Sequence, residues 1–154
     1  MESTVAYTTS LRYYTHMFDR CLYFNINALT RLVNKKWVEA FEAFDLSPAH
    51  SYMLRVVLSK PGITQKELSA ELRLEKSTIT RFVDALQKKD LVSRKAGGVD
   101  GREQNIHPTR KAKKIQAPLE ELGDRLYQTM VSTIGKEKLT TLVSLLQESA
   151  RKMK

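Results

Sequence analysis

Cysteine is almost absent from this chain of 154 residues, Cys21 being the only one. A single thiol forms no internal disulfide, which fits a reducing compartment. Long apolar runs are missing too, and none approaches the ~20 residues that a membrane-spanning helix needs. Met1 to Ser10 are polar and lack the apolar centre of a signal peptide, so a cytoplasmic protein with no membrane partner is expected. Glycine is scarce where phosphate chemistry would want it. Gly97-Gly98 stands between two short extended runs, without the strand-to-helix context that P-loops and dinucleotide folds require. The three histidines, His16, His50 and His107, are scattered, with no i, i+4 pair and no carboxylate cluster. Neither a metal-ligand set nor a nucleophilic triad can be assembled from that pattern. No enzyme, no cofactor and no metal are expected. Internal repeats and low-complexity tracts are lacking as well.

What the chain has is positive charge, unevenly spread. The formal net charge is +9, and residues 60 to 114 hold 14 Lys and Arg against 7 Asp and Glu, a net of 14 − 7 = +7. The rest therefore contributes 9 − 7 = +2. A positive field concentrated on one segment suits a polyanionic partner.

That segment has a readable order. Thr64-Gln65-Lys66-Glu67 is a capping box, in which Thr64 accepts the Glu67 amide and Glu67 reaches back. Leu68 and Leu72 give the short helix it opens a buried side. Arg73-Leu74 then leaves only a brief turn before the run from Glu75 to Lys89. At 100° per residue, Ile79, Phe82, Val83 and Leu86 of that run form one apolar stripe. Ser77, Arg81, Asp84 and Lys88 lie opposite, with Thr80 on the flank. Hydroxyls and a guanidinium turned outward are groups that hydrogen-bond base edges and phosphates. Two helices with so short a joint predict a helix-turn-helix. Leu91 to Lys95 and Glu103 to His107, joined by a glycine-containing loop, predict a β-hairpin with a basic tip. Helix-turn-helix plus hairpin is a winged helix.

Before this segment, Leu11, Tyr14, Phe18, Leu22, Ile26, Leu29, Val33, Trp37, Phe41 and Phe44 recur every three or four residues with no proline or glycine between them. A single helix over 11–44 is predicted, about 50 Å long and too long to bury its stripe on one small domain. Ser47-Pro48 predicts the N-cap and first residue of a further helix through Ser59, burying Met53, Leu54, Val57 and Leu58, stopped by Lys60-Pro61-Gly62. After the hairpin, Thr109 can cap a helix that meets Pro118, so a kink or restart near Ala117 is expected. Leu119, Leu122, Leu126 and Met130 carry the stripe on. Gly135 breaks it, and Leu139, Leu142, Val143, Leu146, Ala150 and Met153 mark a last amphipathic helix.

Thr64-x-x-Glu67-Leu68-Ser69, Lys76-Ser77-Thr78-Ile79-Thr80-Arg81-Phe82-Val83-Asp84-x-Leu86, Leu91-Val92-x-Arg94 and Asp100-x-Arg102 resemble the DNA-binding core of the MarR family of prokaryotic transcription regulators. The similarity covers roughly residues 46 to 115. Its most specific element is Asp100-x-Arg102, which comes at the family's distance after the recognition helix. The chain departs from the family at Asp90, where glycine is usual, at Gln104 and Asn105, where apolar residues are usual, and at Pro108, where leucine is common.

The resemblance implies a mainly α fold with a small β-hairpin wing. Residues 1–45 would form an N-terminal dimerisation helix, 46–108 the winged helix-turn-helix, and 109–154 C-terminal dimerisation helices. It implies a homodimer on double-stranded DNA with a pseudo-palindromic operator, repressing transcription and nucleoid-associated when bound. Arg81, Ser77, Thr78 and Thr80 would face the major groove or its phosphates, and Gln65 and Lys76 the backbone near the two helix starts. Arg102, held by Asp100 and helped by Arg94 and Lys95, would enter the minor groove. A small anionic aromatic effector would relieve repression, with Tyr13, His16, Tyr23, His50, Tyr52 and Arg55 as candidate pocket residues. Two alternatives stand beside this: switching by oxidation of Cys21, and a winged helix used for protein contacts. Some relatives sense hydroperoxides through a cysteine of the first helix, but an ungapped alignment puts that position at Tyr23. Cys21 is then about 200° away, in the apolar stripe beside Phe18 and Leu22, where it behaves as a small hydrophobe.

Overall fold

The computed structural model describes residues 17–97 and 103–153. Tyr13, His16, Asp100, Arg102 and the first part of the predicted N-terminal helix lie outside the described residues. The chain divides into two compact units, 1–45 and 46–154.

In the first unit the long predicted helix is cut short. Among the described residues it is α1, Leu22–Phe41, a length of about 30 Å. Met17–Arg20 form a turn instead. Asn25 supplies the reason, since its side-chain amide lies 3.0, 3.2 and 2.9 Å from the carbonyl oxygens of Phe18, Asp19 and Cys21. Such side-chain bonds to the backbone offer the chain an alternative to the helical ladder. Phe18 stacks on Phe24 across this turn, with ring centroids 4.8 Å apart. Cys21 is consequently no member of a buried stripe. It is the N-cap of α1, only partly buried, and its Sγ accepts the Phe24 amide at 3.5 Å. The apolar stripe of α1 is exposed at Leu22, Ile26 and Leu29. A 3-10 turn, Glu42–Phe44, ends the unit, with Asp45 in the left-handed region at φ 52°.

The second unit is built around α2, Pro48–Ser59, which begins where Ser47-Pro48 predicts. Ser47 Oγ accepts the His50 amide at 3.3 Å. Met53, Leu54 and Val57 of α2 have no exposure, and Leu58 is buried beside them. This helix packs against the strand Glu103–Pro108 and against the helices Gln65–Leu72, Lys76–Lys88, Arg110–Lys114 and Gln116–Ile134, so one helix organises the whole core. Gly62, at φ +89°, turns the chain after α2 and donates to the Ile106 carbonyl at 2.9 Å.

The sheet has one strand more than the predicted hairpin. β1, Ile63–Thr64, pairs antiparallel with β3, Glu103–Pro108, which pairs antiparallel with β2, Val92–Gly97, in the order β1-β3-β2. Ile106 in the central strand lies opposite both Ile63 and Arg94 and is fully buried. The helices α3, Gln65–Leu72, and α4, Lys76–Lys88, fill the space between β1 and β2 in the chain.

Past the sheet, Thr109 caps a short α5, Arg110–Lys114, by accepting the Ala112 amide at 3.2 Å. The helix restarts as α6, Gln116–Ile134, two residues ahead of Pro118, so the missing proline amide falls in the first turn, where it has no helical partner to lose. Leu119, Leu122, Leu126 and Met130 are its buried stripe. Gly135, at φ +90°, leads into α7, Lys136–Lys152, which buries no residue. Val143, Leu145 and Leu146 stand exposed on it. Among the described residues no helix is long and apolar enough to cross a membrane, and no group of His, Cys, Asp or Glu is arranged to hold a metal ion.

Candidate nucleic-acid interface

The capping box of α3 forms as the sequence predicts. Thr64 Oγ1 accepts the Glu67 amide at 3.2 Å, and Glu67 Oε2 accepts the Thr64 amide at 2.8 Å. The backbone and hydroxyl donors of Thr64 favour the charged carboxylate and hold the Glu67 pKa below its ordinary value. Ser69 then closes the turn between the helices, its Oγ 2.5 Å from the Leu74 carbonyl. Arg73 takes the left-handed conformation there, at φ 54°.

This turn delivers α4 with two unlike faces. Ile79, Val83 and Leu86 have no exposure, and Phe82 is half-buried. Burying each such side chain stabilises the fold by about 1.5–3 kcal/mol, which fixes the rotation of the helix about its own axis. Lys76, Ser77 and Arg81 are exposed on the other side, with Thr78 half-buried near them. Arg81 Nη2 lies 3.5 Å from Thr78 Oγ1, a contact loose enough to leave the guanidinium available.

Thr80 and Gln65 do not stand apart as two independent contacts. The Thr80 hydroxyl is 3.0 Å from Gln65 Oε1 and 3.0 Å from the Lys76 carbonyl. The first residue of α3 is thereby tied to the middle of α4, across the helix-turn-helix. Arg94, expected at the wing beside Arg102, is turned the other way. Its Nη2 lies 2.5 Å from Asp84 Oδ1 and its Nη1 2.6 Å from Gln87 Oε1, both on α4. Lys95, the next residue of β2, is exposed.

At the far end of α4, sequence reasoning reached the turn at Asp90 but missed the side chains that cap the helix. Asp90, at φ 56°, occupies the left-handed C′ position, and the Leu91 amide bonds back to the Leu86 carbonyl at 2.9 Å. The N-cap of α5 and a residue of its first turn complete the cap. Thr109 Oγ1 donates to the Asp90 carbonyl at 2.7 Å, and Lys111 Nζ donates to the Lys89 carbonyl at 2.9 Å. A hydroxyl and an ammonium nineteen or more positions downstream leave no local pattern by which to find them.

Asn105, where an apolar residue was expected, has a place of its own. Its amide lies over Gly97 on the neighbouring strand, so close that a Cβ on Gly97 would fall 2.5 Å from Asn105 Oδ1. A side chain at position 97 would make the Asn105 amide turn away.

Of the candidate effector residues, Tyr23, His50, Tyr52 and Arg55 are described. Tyr23 belongs to α1 and is exposed. His50 tilts against Phe82 of α4, with ring centroids 4.6 Å apart, and its Nδ1 is 2.7 Å from Ser47 Oγ. Burial first, and the Lys89 charge second, lower its pKa from the ordinary 6.5. Tyr52 is exposed. The Arg55 guanidinium lies across Gly123 of α6, where an added Cβ would come 2.9 Å from its Nη1. A cleft of about 410 Å³ is lined by Lys60, Gly62, Ile63, Glu67 and Glu71 among others, and His50, Tyr52 and Arg55 are not among its lining residues.

Residues 44–103 match the sequence model described as the MarR family. Over that stretch, less than half of its length, this chain is similar to the MarR family. It is 24% identical to the HTH-type transcriptional regulator MgrA of Staphylococcus aureus over 85% of this chain and 88% of that one. It is 26% identical over 106 residues to a protein of Thauera aromatica described as a putative transcriptional regulatory protein for the hcr operon, 69% of this chain and 64% of that relative. In fold it is similar to the transcriptional repressor CouR, solved bound to a 23-mer DNA duplex, at a TM-score of 0.78 and 21% identity over 86% of this chain and 94% of that one. The winged helix fold expected from the sequence is the fold of that solved structure.

Proposed function

We propose that this chain is a homodimeric, sequence-specific, double-stranded-DNA-binding transcription regulator of MarR type in the cytoplasm that acts as a repressor. The observation that carries the reading is the two-sidedness of α4. Ile79, Val83 and Leu86 anchor one face completely, while Ser77 and Arg81 stand in solvent on the other. A helix fixed in rotation and studded outward with a hydroxyl and a guanidinium is suited to base edges and phosphates. CouR, solved on a DNA duplex, supports the same use of the fold.

In this reading Arg81, Ser77 and Thr78 contact the major groove or its phosphates. Lys76 and Gln65 hold the backbone near the helix starts, Gln65 also restraining Thr80. Lys95 and Arg102, the latter positioned by Asp100, approach the minor groove. The exposed apolar side chains of α1 and of α7 support a dimer, since each helix needs cover that its own unit does not give it. Two-fold symmetry would set two recognition helices roughly 34–36 Å apart, matching a pseudo-palindromic operator. A small anionic aromatic effector would act by changing that spacing. Its anchor in this reading is Arg55, held flat on Gly123, with Tyr52 a turn earlier on α2 and Tyr13, His16, Tyr23 and His50 contributing. Use of the wing for protein contacts would call for apolar groups on the outer face of α4, where Ser77, Arg81 and Lys88 stand instead.

The test is selection of bound fragments from genomic DNA, with sedimentation of the same protein. Enrichment of one pseudo-palindromic sequence by a dimer is expected. Enrichment no better than random fragments, or a monomer alone at micromolar concentration, contradicts the reading.

A further inference from the structure

We propose that Arg94 is a positioning residue that locks β2 of the wing onto the recognition helix α4, instead of a ligand for DNA. The proposal rests on the DNA-binding reading above and adds to it how the two reading elements are held together.

Asp84 and Gln87 are three residues apart on α4, hence on the same face one turn from each other. The guanidinium of Arg94 spans that turn, with Nη2 on Asp84 and Nη1 on Gln87 at 2.5 and 2.6 Å. Its side chain is only 21% exposed, against 48% for Asp84. Two of the five N–H donors in its plane are therefore directed at the protein. Turning the group toward a phosphate or a groove would break both bonds and strip Asp84 of its partner.

The far flank of the strand is fixed as well. Arg94 pairs across the ladder with Ile106, which has no exposure and also pairs with Ile63 of β1. Strand β2 thus cannot tilt at Arg94 without moving either the sheet core or α4. A half-exposed ion pair contributes little stability by itself. What a planar fork on two acceptors supplies is orientation, which an ammonium in the same place would not fix. The angle between α4 and the wing is then set before DNA arrives, and binding in the two grooves carries no cost of ordering one against the other.

The two roles predict opposite signs for one substitution. If Arg94 positions the wing, Asp84→Asn and Arg94→Ala each weaken operator binding by about five- to tenfold, and the double variant is no worse than the weaker single. The salt slope stays that of the wild type in all three. Arg94→Lys keeps the charge yet binds the operator as weakly as Arg94→Ala. If Arg94 is a DNA ligand, Asp84→Asn frees it and tightens binding, and Arg94→Ala lowers the salt slope by about one; that outcome overturns the proposal. Denaturant unfolding of the same four proteins without DNA separates this from the functional reading. Coupled, non-additive losses at Asp84 and Arg94 support the lock even if no operator is found, and strictly additive losses overturn it even if one is.

Discussion

The ammonium of Lys111 in α5 lies 2.9 Å from the main-chain carbonyl of Lys89, just past the last turn of the recognition helix. The C-terminal carbonyls of a helix have no partner within it and carry the negative end of its dipole. A positive side chain from the next helix answers both needs. It also places the orientation of α4 under the control of a segment beyond the wing.

Lys111→Ala is therefore expected to lower stability by about 0.5–1 kcal/mol. Lys113→Ala, on the same short helix and exposed, is expected to change it by less than half of that. Chemical denaturation of the two variants against the wild type checks this, and equal losses would remove the capping role.

Asp90 closes the same helix with a backbone conformation that costs an ordinary residue about 1 kcal/mol, and its carboxylate stands at the wrong end of the dipole. Asp90→Gly should raise the unfolding free energy by up to about 1 kcal/mol, and Asp90→Val should lower it by more than that. Thermal unfolding at neutral pH is the measurement, and a Gly variant less stable than the Val variant would contradict it.

His50 gives the fold a pH dependence of known sign. Its pKa is lowered in the folded chain from 6.5, by burial and by Lys89. The unfolded chain then binds more protons in the window below 6.5, so stability rises with pH through that window. The contribution is fully present above the unfolded value and is lost as pH falls toward the folded one. Unfolding midpoints across about pH 5 to 8 should show this rise. His50→Gln should flatten it, and an unchanged profile in that variant would place the titration elsewhere.

Most of the second unit was legible because its signals are local. Ser47-Pro48, the Thr64–Glu67 box and the 3.6-residue spacing of Ile79, Val83 and Leu86 each carry their structural consequence within a few residues. The left-handed turn at Asp90 was legible in the same way, as a departure with a known tolerance. What sequence could not supply was pairing at a distance. β1 is two residues long and exists only because β3 lies beside it. Arg94 reads as one more basic residue at a wing until its strand is laid against α4. Cys21 fails for a different reason. The apolar repeat runs straight through it, and only the polar Asn25, by taking three backbone carbonyls, stops the helix short. The two residues at the centre of the wing assignment, Asp100 and Arg102, rest on the resemblance alone.

Reading of a DNA sequence by the outward face of α4 is tested by fluorescence anisotropy of Arg81→Ala. Titrations should use the selected operator and a scrambled duplex across a salt series, with Lys113→Ala as the charge-matched control. Arg81→Ala is expected to weaken operator binding by about 1–3 kcal/mol and to leave the scrambled duplex nearly unaffected, while Lys113→Ala changes both slightly and alike. Equal losses for the two variants on both duplexes would contradict it, leaving Arg81 as one charge among many on a basic surface.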